Sequence, residues 1–110
     1  MPEIHTDIVA QVILLAREAE VSGDATARAE LEGFLEALTE DDGYMLVALA
    51  WIGRESFSAD EYDDALETAR EEATTPTEGY LANMPLLADY LEDGLESMGI
   101  SATEAEDDLM

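Results

Sequence analysis

The segment Tyr44-Met45-Leu46-Val47-Ala48-Leu49-Ala50-Trp51-Ile52 contains no charged residue and no break. It is the strongest constraint on what this chain can become. A bilayer span needs about 20 apolar residues, so the run is far too short for a membrane. Nor does it alternate, as a half-buried strand would. Its flanks read as helix ends. Thr39 followed by Asp42 resembles a capping box, Glu40-Asp41-Asp42 puts negative charge in the first turn, and Gly53-Arg54 suits the other terminus. A helix that is apolar all round is stable in water only when other elements encircle it. The expectation is therefore an all-α, compact bundle of five or six short helices around Leu46, Leu49, Trp51 and Ile52.

The remaining periodicity supplies those elements. A first helix is expected from about Thr6, as N-cap, to Val21, with Ile8, Val9, Val12, Ile13 and Ala16 inward and Leu14 and Leu15 widening the face. A second runs from about Ala25 to Leu38 behind an Asp24 cap, through Leu31, Phe34 and Leu35. Ser58 and Glu61 form a clear capping box for a fourth helix, whose stripe is Tyr62, Ala65, Leu66 and Ala69. Thr74-Thr75-Pro76-Thr77 breaks the chain. A short helical turn covers Glu78 to Ala82. Asn83 is then the expected cap of a last helix with Pro85 in its first turn, ending at Gly99. Gly94 falls beside the core face, where a missing side chain lets another helix come close. Residues 1–99 read as a single helical domain and 100–110 as an acidic, mobile tail.

Charge narrows the partners. There are 28 Asp and Glu against four Lys and Arg, all arginine, for a formal net charge of −24. Such a surface repels phosphate backbones and anionic lipid, so direct nucleic-acid and membrane binding are not expected. Four origins fit such a charge: a solvated acidic exterior suited to high salt, complementarity to a basic protein partner, DNA mimicry, and divalent-cation binding. No cysteine is present, and the N-terminal residues lack the basic and apolar regions of a signal peptide, so the expected compartment is the cytoplasm.

No catalytic, cofactor or metal constellation is expected. His5 is the sole histidine and reads as exposed, which leaves no ordinary zinc set and no base for a serine nucleophile. Glu-x-x-His, the di-iron bundle element, is absent. Neither Glu40-Asp41-Asp42-Gly43 nor Asp60-Glu61-Tyr62-Asp63-Asp64 has the ligand order of an EF-hand loop. Arg28 can reach Asp24 and Glu32, Arg17 can reach Glu20, and Arg70 can reach Glu67 at helical spacing. Arg54 follows the buried helix and could cap it while pairing with Asp89 or Glu92, or anchor a binding surface. Tyr80 and Tyr90 have polar tips that could also face a partner, so Arg54, Tyr80 and Tyr90 are the candidate protein-interaction residues.

Leu49-Ala50-Trp51-Ile52-Gly53-Arg54, then Tyr62, then Tyr80-Leu81-Ala82-Asn83-Met84-Pro85-Leu86-Leu87-Ala88-Asp89-Tyr90-Leu91-Glu92-Asp93-Gly94-Leu95, resembles an uncharacterised bacterial domain-of-unknown-function family. Its small helical members carry Trp-x-Gly-Arg and Pro-Leu-Leu-x-Asp-Tyr-Leu-Glu-x-Gly-Leu segments. The resemblance covers about Leu31 to Met98 and departs at Glu55 and Ala88, where the pattern often has glycine. It implies one compact domain and no activity, cofactor or partner. The expected function is a non-enzymatic protein-interaction or regulatory module, with a basic protein or a second copy of the chain as partner. The alternative is a DNA-mimic inhibitor of a basic protein, and a third reading is a small enzyme that uses carboxylates alone.

Overall fold

In the computed structural model, α3 (Glu40–Gly53) is the hub of the described residues, 4–72 and 77–99. Its helical order is α1 (Thr6–Ser22), α2 (Ala25–Glu36), α3, a 3-10 turn (Ala59–Glu61), α4 (Tyr62–Glu71), α5 (Thr77–Ala82) and α6 (Leu87–Ser97). Six α-helices and no strand are found among these residues, in agreement with the all-α expectation. The acidic tail and most of the Thr74–Thr77 breaker lie outside the described residues.

The encirclement demanded by the apolar run is met. Every residue from Met45 to Ile52 is buried, and α3 packs against α4, α5 and α6. Leu46 and Leu49 are wholly buried, as are Leu91 and Leu95 on α6. Each contributes about 2 kcal/mol of apolar transfer. α1 lies against α2 and α6, and α2 reaches α5. α1 buries Val9, Val12, Ile13 and Ala16, but Leu14 stays 45% exposed. Leu15 is partly buried and packs against the core, so of the two leucines expected to widen the face only Leu15 does so.

Helix ends mostly follow local chemistry. The Asp24 carboxylate accepts from the Thr26 amide at 3.0 Å, and the Thr39 hydroxyl accepts from the Asp42 amide at 3.2 Å. The Ser58 amide donates to the Glu61 carboxylate at 2.9 Å, closing that box around the 3-10 turn before α4. Two expectations are corrected. Thr6 is inside α1, and His5 takes the N-cap position without a side-chain cap. Asn83 does not cap α6; its side-chain amide donates to the Gly79 carbonyl at 2.9 Å and closes α5 instead. Pro85 disfavours helical backbone at Met84. Leu86 is left-handed at φ 62°, so α6 begins only at Leu87.

Candidate functional site

A concavity that combines apolar walls with charge forms where three segments meet. The end of α1 contributes Ala16 and Ala19, α2 contributes Ala25 and Leu31, and the α5–α6 turn contributes Met84 and Leu86. Small side chains on α1 and α2 leave room, and Gly23, left-handed at φ 63°, reverses the chain between them. The cleft holds about 390 Å³, within the range of about 300–1,000 Å³ usual for binding pockets. Glu20, Asp24 and Arg28 supply its charged groups.

Arg28 spans the cleft. Its Nε donates to Glu32 at 3.2 Å, the helical pair expected from spacing, and a terminal nitrogen donates to the Asn83 side-chain oxygen. One guanidinium thus ties α2 to the turn ahead of α6. Asp24, the other expected partner, is committed to capping α2. At the mouth stands Leu86, 47% exposed and in the left-handed region, which costs a residue with a Cβ about 1–2 kcal/mol.

A second hollow of about 550 Å³ opens beyond the C-terminus of α3, between Glu55, Phe57, Ser58 and Ser97. Trp51 stacks on Phe57 beside it, with ring centroids 5.8 Å apart. Its shape follows from the cap of α3 and not from converging functional groups.

The three candidate interaction residues do not form one patch. The Tyr80 hydroxyl accepts a hydrogen bond from Trp51 Nε1 at 2.9 Å and is 39% exposed. Tyr90 is half-buried and meets Gly53 through its backbone. Residues two apart on a helix point about 200° apart, so Trp51 and Gly53 hold the two tyrosines against opposite flanks of α3. Arg54 is exposed, and among the described residues its guanidinium donates to the Ser56 hydroxyl, at 3.2 Å. The carboxylates expected for Arg54 are taken by Arg17, which contacts Asp89 at 3.0 Å and also Glu92. This follows from α1 crossing α6 where those acids emerge. Arg70 likewise pairs across helices with Asp41 at 3.6 Å, not within α4.

Burial opposes the Arg17 charge, yet the hydrogen bonds and charges of Glu92 and Asp89 outweigh it and raise its pKa above the ordinary value. Tyr62 is 3% exposed. Burial first, and the Asp63 charge second, push its hydroxyl up to about 12, against a weak opposing effect of Arg70. His5 is exposed, as expected, and its Nδ1 lies 2.8 Å from the Asp42 carboxylate. Among the described residues no group of three or more His, Cys, Asp or Glu is arranged to hold a metal ion, and no helix is long and apolar enough to cross a membrane.

Sequence reasoning missed Leu86, Asn83 as the Arg28 partner, and Arg17 as a clamp. Only Pro85, by upsetting the helix start, gave a local signal of the first.

The sequence profile of a family described as "Protein of unknown function (DUF3775)" matches residues 28–100. No curated protein and no solved structure matches the chain.

Proposed function

Because the chain belongs to the DUF3775 family, whose description carries no activity, we propose from its own surface that it is a non-enzymatic protein-interaction module, acting in the cytoplasm, for a basic protein partner. One observation carries this reading. The buried residues described are all non-polar or aromatic, none charged, so the carboxylates stand outside the core. With a net charge of −24, what the molecule offers its surroundings is a strong anionic field. Such fields raise encounter rates with cationic surfaces and repel like-charged ones. A regulatory effect follows whenever the bound partner needs the covered surface for something else.

The test is capture of partners on the immobilised full chain at about 0.05 M and about 0.5 M sodium chloride, between which the screening length falls from about 14 Å to about 4 Å. A basic protein retained at the lower salt and released at the higher is the expected result. Retention of neutral or acidic proteins regardless of salt would overturn the reading. Competition by duplex DNA tests whether the chain occupies a nucleic-acid-binding surface, as a DNA mimic would.

A further inference from the structure

We propose that the cleft between α1, α2 and the α5–α6 turn is the docking site for a short segment of that basic partner. An apolar side chain would seat against Leu86, Met84 and Leu31, and flanking Lys or Arg residues would meet Glu20 and Asp24. This rests on the basic-partner reading above and adds where contact is made and by what chemistry.

Leu86 supplies the first argument. It combines two locally unfavourable features in one residue: a left-handed backbone at φ 62° and an apolar side chain 47% exposed. Pro85 before it and the wholly packed Leu87 after it, 3% exposed, hold it there. Strain that the surroundings impose on an exposed residue is found preferentially at ligand clamps. Here it aims a leucine at the mouth of a cleft whose walls are alanine, leucine, methionine and proline.

Charge selects the occupant. Among the described residues Arg28 is the only cation lining the cleft, and Glu32, 3.2 Å away, offsets it. Glu20 and Asp24 leave the lining net negative. A second copy of a chain at −24 would bring like charge to this face, and an acidic peptide would do the same. A cationic segment alone gains from both the walls and the rim. A purely cationic one would gain only a diffuse attraction that salt removes.

The experiment titrates three synthetic probes into isotopically labelled full chain, following backbone amides. They are Lys-Lys-Leu-Leu-Lys-Lys, hexalysine, and Glu-Glu-Leu-Leu-Glu-Glu. The first should shift amides of the α1–α2 turn and of Met84 to Leu87, and bind about tenfold tighter than hexalysine, because burying a leucine is worth at least that factor. Leu86→Ser should weaken the first probe about fivefold or more and leave hexalysine unchanged. Leu86→Gly, which relaxes the left-handed backbone while removing the same side chain, should weaken it alike and guards against a folding defect. Equal binding of both basic probes, scattered over acidic residues and indifferent to Leu86, would overturn the docking site and leave the basic-partner reading standing. Cleft binding by the glutamate probe alone would overturn the chemistry assigned to the occupant. No shift with either basic probe would overturn both.

Discussion

Gly53 on α3 meets the backbone of Tyr90 on α6 so closely that a Cβ placed on it would lie 2.6 Å from the Tyr90 carbonyl carbon. The contact is reciprocated one turn away, where a Cβ on Gly94 of α6 would lie 3.0 Å from the carbonyl carbon of Leu49. Leu49 and Gly53 ascend α3 as Gly94 and Tyr90 descend α6, so the two helices are antiparallel and each removes a side chain where the other's backbone arrives.

Overpacking at this seam forces backbone shifts. Gly53→Ala and Gly94→Ala should each destabilise the fold by about 3 kcal/mol. Gly33→Ala is the control: its added Cβ meets nothing within 4 Å in the middle of α2, and should stabilise by about 0.5–1 kcal/mol. Urea denaturation of the three variants measures the contrast.

The end of α3 is a Schellman turn with an unusual occupant. The Ser56 amide donates to the Trp51 carbonyl at 2.9 Å and the Glu55 amide to the Ile52 carbonyl at 3.0 Å. Glu55 itself sits at φ 68°, the position that glycine normally fills. Glu55→Gly should therefore raise stability by about 0.5–1 kcal/mol, relief of strain exceeding the added chain entropy. Glu55→Ala should give no comparable gain, since it keeps the Cβ.

Trp51 is the sole tryptophan, so its fluorescence reports one site. Tyr80→Phe deletes the acceptor of the Trp51 indole N–H, which should cost about 1–2 kcal/mol and speed exchange of the indole proton. An unchanged melting temperature and an unchanged indole resonance would show that the contact does not pin α5 to α3.

Alkaline stability depends on Tyr62. Its folded pKa of about 12 exceeds the ordinary 10.0, so the folded state holds its proton more tightly. The associated stability is complete below pH 10 and is lost as pH rises toward 12, by about 3 kcal/mol in all. The chain has no lysine and no cysteine to titrate alongside it. Tyr62→Phe should flatten that part of the pH–stability curve.

Arg17 bridges Asp89 and Glu92 across the α1–α6 contact. Arg17→Gln should cost about 1 kcal/mol at low salt and make the melting temperature rise more steeply with sodium chloride than it does in the wild-type chain. Equal salt slopes for both proteins would rule out this pair as a counterweight to the acidic surface.

Fold class, the central helix and three caps were legible because they depend on neighbours in the chain. Asp24, Thr39 and Ser58 act within one turn, and the Tyr44–Ile52 run cannot be stable unless surrounded. Gly94 was readable as a close-approach point for the same reason, lying beside a helical stripe. The site was far less legible. Arg17, Arg28 and Arg70 had near helical partners in sequence, yet two of them turn to acids on other helices and Arg28 also reaches Asn83.

What the sequence alone determined is that this chain buries a fatty helix within other helices and turns its acids outward, since hydrophobic periodicity and capping are local matters. Which arginine meets which acid, that Gly53 answers Tyr90, and that Leu86 stands at the mouth of a cleft were decided only in three dimensions. Those relations depend on how helices cross, and crossing is set by the joint packing of side chains far apart in the chain.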